Sequence, residues 1–144
     1  MDTKKVLVAL LLVLAVIPTA ASAADLTRNE KEQFFTDFTK ADWCRQGIET
    51  ALWVADWRQT LQIKDHPNLH ETNIFLGEHP SDGQINAYMG GMIVSHALIA
   101  WALPQRAEVF GVGVNPRALW QYVFIATEGV TVGRNYRLGL RFSF

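Results

Sequence analysis

The chain has 144 residues, of which 49% are hydrophobic and 19% are charged, and its formal net charge is −1. This composition predicts one compact folded domain and argues against a disordered or collagen-like protein. The near-neutral charge also argues against a nucleic-acid partner, because such proteins neutralise phosphates with an excess of Lys and Arg.

The first 23 residues have the three-part pattern of a secretory signal peptide. Lys4 and Lys5 precede an apolar run from Val6 to Ile17, and a string of small residues ends at Ala23. An uncleaved anchor helix is the alternative, but the apolar run is shorter than the roughly 20 residues that span a bilayer. We therefore predict export to the bacterial cell envelope, with cleavage after Ala23.

The next segment, residues 24–41, is predicted to form an amphipathic arm. Phe34, Phe35 and Phe38 fall on one face of a short helix, which could pack on the body of the protein or lie on a membrane surface. The lone cysteine, Cys44, has no partner for an internal disulfide and is expected to be a small buried side chain.

An amphipathic helix is predicted from Asp42 to about Lys64. Apolar residues recur with helical spacing on one face: Ile48, Ala51, Leu52 and Ala55. Acidic residues recur every seven positions on another face: Asp42, Glu49 and Asp56. A solvated acidic face is one interpretation of this stripe. The tryptophans of the same segment favour an apolar or interfacial setting instead.

A loop is predicted over residues 65–83, where turn-forming residues and three of the four histidines occur. Ser81 or Asp82 is expected to cap the helix that follows.

The helix after this loop, residues 84–103, is the most hydrophobic stretch after the signal, and its length matches the thickness of a bilayer core. A buried core helix of a water-soluble protein is the alternative. Small residues recur at every fourth position, a spacing that lets two helix backbones approach closely in a membrane: Ala87, Gly91 and Ser95.

A third helix is predicted to begin at Pro116, with Asn115 as its cap, and to run to about Gly133. Polar residues again recur every seven positions: Gln121, Glu128 and Asn135. An unpaired carboxylate is costly to bury in such an apolar run, so Glu128 is expected to face a partner, water or a polar group rather than lipid.

The tail, residues 136–144, is basic and aromatic, and its apolar residues alternate with Arg, Gly and Ser. This alternation is typical of the last strand of an outer-membrane β-barrel. A barrel needs at least about eight strands of about ten residues, however, and residues 42–103 predict helix and loop. A short edge strand or an amphipathic tail is therefore the preferred interpretation.

Two segments of the sequence resemble an uncharacterised family of small bacterial membrane proteins. They are Ala55-Asp56-Trp57-x-Gln59-Thr60 and Glu71-Thr72-Asn73-x-x-Leu76-Gly77-Glu78-His79-Pro80-Ser81. In that family an Asp-containing helix is followed by a loop of the type Glu-x-Asn-Pro-x-Leu-Gly and by two more apolar helices, which correspond to about residues 42–135 here. Ile74 stands where a Pro often follows the Asn, so the turn is expected to differ. The resemblance implies a helical membrane fold and no transferable activity.

If the three helices form a bundle, polar side chains from the helices and the loop could meet in its interior. The candidate polar cluster is Asp56, Gln59, Asn73, His79, His96 and Glu128. Carboxylates and imidazoles bind metals or carry protons, but their spacing here matches no metal motif, and the sequence contains no nucleotide-binding glycine loop or nucleophile elbow. We predict no metal and no cofactor, and we favour structural hydrogen bonding among Asp56, Asn73 and Glu128.

The sequence as a whole predicts an all-α protein of three main helices, with residues 42–135 as a helical membrane domain of the inner membrane. The lipid bilayer is its expected partner, together with a second copy or another membrane protein and no nucleic acid. The predicted function is that of an envelope accessory protein acting through helix–helix or partner contacts. One alternative is a membrane-embedded enzyme or metal-binding protein that uses Asp56, His96 and Glu128, and the other is an outer-membrane β-barrel protein.

Overall fold

The computed structural model describes residues 37–109 and 112–141. Three helices dominate it: α1 (Lys40–Thr60), α2 (Asp82–Ala102) and α3 (Pro116–Arg137). Two short antiparallel strands, β1 (Ala107–Val109) and β2 (Val112–Val114), form a hairpin between α2 and α3. The prediction of an all-α fold with three main helices is confirmed. The predicted signal peptide and most of the predicted arm lie outside the described residues.

Each helix begins at a side chain that caps its free backbone N–H groups. The hydroxyl of Thr39 accepts a hydrogen bond from the Asp42 amide, and the Asp42 carboxylate accepts one from the Thr39 amide at 2.9 Å. Ser81 and Gln84 form the same reciprocal box at the start of α2, and Asn115 caps α3 ahead of Pro116. The predicted caps of α2 and α3 are confirmed.

The segment between α1 and α2 is a loop, as predicted, with one 3-10 turn at Ile63–Asp65. Gly77 has a φ of +75°, a conformation that glycine adopts without steric cost, and its amide donates to the Asn73 carbonyl. Lys64 donates a hydrogen bond to the Asp82 carboxylate, which raises the pKa of the lysine and ties the loop to the start of α2.

Helices α1 and α3 run in the same direction, and α2 runs against them. The amide of Gln121 donates to the Asp42 carbonyl at 3.1 Å, and the amide of Asn135 donates to the Asp56 carboxylate at 2.8 Å. These two contacts join the polar residues that recur every seven positions on each helix. The heptad-spaced side chains of α1 therefore face those of α3 in register.

The C-terminal segment differs from the predicted strand. Helix α3 continues through Tyr136 to Arg137, and a turn at Leu138 and Gly139 follows. Leu140 is buried, and its carbonyl accepts a hydrogen bond from Gln59 at 3.0 Å. Of the two predicted alternatives for the tail, the edge strand is wrong over residues 136–141, and the amphipathic tail stays a prediction. Residues 142–144 lie outside the described chain. The outer-membrane β-barrel alternative requires long strands, but the described residues form three long helices.

Polar side chains fill much of the interior. On α1, every buried residue except Trp53 is polar: Asp42, Gln46, Glu49, Asp56, Gln59 and Thr60. Ile48 and Ala51 of the predicted apolar face are exposed, and so is Cys44. The solvated-face interpretation and the burial predicted for Cys44 were both wrong. The acidic stripe turns inward because α2 and α3 supply hydrogen-bond partners for it.

Candidate functional site: the polar interior of the helix bundle

The first layer of the interior surrounds Asp42, at the start of α1. Its carboxylate accepts hydrogen bonds from Arg45 and from the Gln105 amide, the latter at 2.8 Å. Gln121 of α3 accepts a hydrogen bond from Arg45 at 2.8 Å, and its own amide donates to the Asp42 carbonyl. The negative charge of Asp42 is therefore balanced by Arg45 and stabilised by hydrogen bonds at the contact between α1 and α3.

Arg117 completes this layer and was missed in the sequence. Its side chain is fully buried, and its guanidinium donates to the carbonyls of Ala100 and Leu103, both at 3.0 Å. It also lies 3.5 Å from the Asp42 carboxylate. These contacts tie the end of α2 to the start of α3. The available signal was an arginine followed directly by Ala118, Leu119 and Trp120 in the first turn of α3, because a charge in such an apolar run needs buried acceptors.

The middle layer is a buried pair between α1 and α2. Nδ1 of His96 lies 2.8 Å from Oε1 of Glu49. Aromatic rings enclose the imidazole: Trp53, Trp120 and Phe124, with ring centroids at 5.1, 5.1 and 4.0 Å. His96 thus pairs with Glu49, which the sequence placed in the acidic stripe but not in the candidate cluster.

Glu128 of α3 faces this interior, as predicted. Its side chain is 9% exposed, and its Oε2 atom is buried without a hydrogen-bond partner in the part of the chain that the structure describes. Asp56 and Glu49 are close enough to interact with it electrostatically, and both carry the same charge when ionised. Oε2 of Glu49 is also buried without a partner. The middle of the bundle therefore holds carboxylate oxygens whose hydrogen-bonding capacity is unused.

A cavity of about 520 Å³ lies beyond the middle layer, toward the loop between α1 and α2. Asp56, Asn73 and Glu128 of the candidate cluster all line it. Within the described chain, however, no hydrogen bond joins these three side chains. Asp56 bonds to Asn135, and the Asn73 side chain accepts from the Phe75 amide at 3.0 Å. The predicted hydrogen bonding among the three is therefore not observed in the described chain. The three side chains line one cavity instead.

The remaining members of the candidate cluster lie elsewhere. Gln59 is buried and donates to the Leu140 and Val132 carbonyls. His79 is exposed and lines a smaller cavity of about 180 Å³ together with His66. Among residues 37–109 and 112–141, no three His, Cys, Asp or Glu side chains are grouped closely enough to hold a metal ion.

The small residues predicted to pack helices together lie on an open face of α2. Ala87, Gly91 and Ser95 are all exposed, and a Cβ atom built on Gly91 would meet nothing within 4 Å. This face makes no close helix contact inside the described chain. The packing role predicted for these residues is therefore not filled by another helix of the described chain.

Comparison of the chain with protein-family models, curated proteins and solved structures gives no match. The family resemblance carried by residues 55–60 and 71–81 remains a prediction from those residues.

Proposed function

We propose that the protein is a membrane-embedded accessory protein of the bacterial envelope, in which α1, α2 and α3 cross the inner membrane. The observation that carries this proposal is the inverted distribution of polarity. Charged and amide side chains are buried between the helices, while large apolar side chains point outward. Such an arrangement is unfavourable in water, where exposed apolar area costs about 25 cal/mol per Å². In lipid it is favourable, because polar groups must find their partners inside the protein.

Helix α2 supports the proposal most directly. It is the one helix of the described chain that is long and apolar enough to cross a membrane, and only 22% of its most apolar window is buried. Val94, Leu98 and Trp101 are each more than half exposed. The core helix of a water-soluble protein would bury such side chains, so this pattern favours lipid contact over the core-helix alternative.

The other two helices have suitable lengths. Helix α1 has 21 residues and α3 has 22, which at about 1.5 Å per residue gives roughly 31 to 33 Å, close to the thickness of a bilayer core. Two buried acidic residues of α1 face amide side chains of α3: Asp42 faces Gln121, and Asp56 faces Asn135. These four polar side chains of α1 and α3 are thus shielded from lipid by the bundle itself.

The open face of α2 supports the accessory role. Ala87, Gly91 and Ser95 would allow a helix of a second copy, or of another membrane protein, to approach closely. In this proposal the buried polar layers fix the register of the three helices, and the open face makes the functional contact.

Fractionation of the full-length gene product tests the proposal. We expect the protein in the inner membrane, resistant to a carbonate wash, with a mass that corresponds to loss of residues 1–23. Recovery in the soluble periplasm would contradict membrane embedding. Recovery in the outer membrane with heat-dependent gel mobility would contradict the helical membrane fold.

A second candidate function, ligand binding or catalysis inside the bundle by Asp56, His96 and Glu128, is favoured by one observation. Oε2 of Glu128 is buried without a hydrogen-bond partner. Asp56 lines the same cavity, whereas His96 is paired with Glu49 away from it. Of the three predicted residues, Asp56 and Glu128 are therefore the pair able to meet a common ligand.

A further inference from the structure

We propose that the cavity between the three helices and the loop binds an organic ammonium cation, with Glu128 as its counter-ion. The inference concerns the cavity alone, so it does not depend on whether the helices lie in a membrane. It starts from Glu128, the one carboxylate among the described residues of the cavity wall that is deeply buried and has an oxygen atom without a hydrogen-bond partner.

The electrostatics of the cavity select a cation. Three carboxylates line it: Asp56, Glu71 and Glu128. Asp56 accepts a hydrogen bond from Asn135, and Glu71 accepts two from backbone amides at 2.7 Å. Oε2 of Glu128 has none. A bound cation would supply the missing hydrogen bond and offset the cost of a buried carboxylate.

Two other lining groups affect the charge of the cavity. Arg134 is exposed and lies about 1.7 turns beyond Glu128 on α3, toward the loop end of the helix. His70 also belongs to the wall and is exposed. Both residues are exposed, and solvent screens the charge of Arg134. The inner end of the cavity, at Asp56 and Glu128, keeps its acidic character.

The size and the remaining lining point to an organic cation rather than a bare ion. A volume of about 520 Å³ falls within the range of small-molecule sites. Aromatic side chains form part of its wall: Trp53, Phe75, Tyr88 and Phe124. Carboxylates beside aromatic rings suit an alkylammonium group, because the charged head meets the carboxylate while its carbon atoms lie against the rings.

The test is isothermal titration calorimetry on the purified full-length chain in mild detergent, with n-butylammonium as the probe and n-butanol as its uncharged analogue. We expect saturable binding of butylammonium and none of butanol. Glu128→Gln keeps the shape of the side chain and removes its charge, so it should weaken binding at least about tenfold, equivalent to about 1.4 kcal/mol. Glu108→Gln, an exposed carboxylate on β1, is the matched control and should bind as the unmodified protein does.

Asp56→Asn provides a second variant in case Glu128→Gln does not fold, and it should also weaken binding. Three results would overturn the proposal: no saturable binding, equal binding of butanol, or the same loss of affinity in Glu108→Gln. Displacement of butylammonium by Mg²⁺ at equal concentration would assign the cavity to a metal ion instead. Because the titration uses purified protein, its outcome is independent of the fraction from which the protein is recovered.

Discussion

At the scale of single residues, the buried pair of Glu49 and His96 shows that the polar side chains of the interior depend on their hydrogen-bond partners. Glu49 is fully buried, and the imidazole 2.8 Å away is the one hydrogen-bond partner seen for its side chain in the described chain. Removing one member leaves the other buried without compensation, whereas replacing both by apolar groups removes the need for the pair.

We therefore expect His96→Ala to lower the free energy of unfolding by about 3 to 5 kcal/mol. The double variant Glu49→Met/His96→Phe should recover much of this loss, because neither side chain then requires a polar partner. Thermal and chemical unfolding of the purified variants, followed by circular dichroism, measures both values. The single variants Glu49→Met and His96→Phe complete the cycle, and a loss in the double variant equal to the sum of their losses would show that the residues do not depend on each other.

Arg117 gives a second prediction at this scale. Arg117→Met keeps the apolar stem but leaves the carbonyls of Ala100 and Leu103 and the Asp42 carboxylate without the guanidinium. The loss should be about 3 to 5 kcal/mol in the free energy of unfolding. Arg106→Met serves as the control, since Arg106 is exposed and its replacement should change stability by less than about 0.5 kcal/mol. Similar effects of the two variants would contradict the structural role of Arg117.

At the scale of elements, the caps decide where the helices begin. Ser81 caps α2 through its hydroxyl and its reciprocal contact with Gln84. Ser81→Ala should destabilise the protein by about 1 kcal/mol, seen as a lower midpoint of thermal unfolding. Ser95→Ala makes the same chemical change at an exposed position inside α2, where alanine is the better helix former. Its midpoint should be unchanged or slightly higher, and a drop equal to that of Ser81→Ala would argue against capping.

The sequence predicts these elements well because their signals are local. Ser81, Asn115 and Pro116 each specify a helix start through neighbours within three residues. The end of α3 was misplaced because alternation over residues 136–144 fits a strand as readily as a helix end. The contact that decides between them is the hydrogen bond from Gln59 to the carbonyl of the buried Leu140. It joins residues that are 81 positions apart in the sequence.

The inward face of α1 could not be predicted for a similar reason. Ile48 and Ala51 form an apolar stripe as regular as the acidic one, and periodicity alone does not say which stripe the other helices cover. The partners of the acidic stripe, His96 and Asn135, come from distant parts of the chain. The candidate site was accordingly predicted in part: Asp56, Asn73 and Glu128 line one cavity, whereas the roles of Glu49 and Arg117 depend on the assembled bundle.

At the scale of the whole molecule, one substitution separates a membrane-embedded bundle from a water-soluble one. Val94 lies near the middle of α2 and is 58% exposed. In water, Val94→Lys would place a charge on the surface of a helix and improve helix propensity, so stability and solubility would be kept or improved. In a bilayer the same lysine would sit near the hydrocarbon centre, at a cost of about 2.5 to 3.5 kcal/mol.

We therefore expect Val94→Lys to reduce the fraction of protein that resists a carbonate wash, and to lower its yield. Ala102→Lys is the matched control, because Ala102 is exposed at the end of the same helix, where a lysine side chain can reach the interface and complements the helix dipole. It should stay in the membrane fraction. Equal membrane retention of both variants would show that Val94 does not face lipid, and the exposed apolar surface of α2 would then have to be covered by another protein surface.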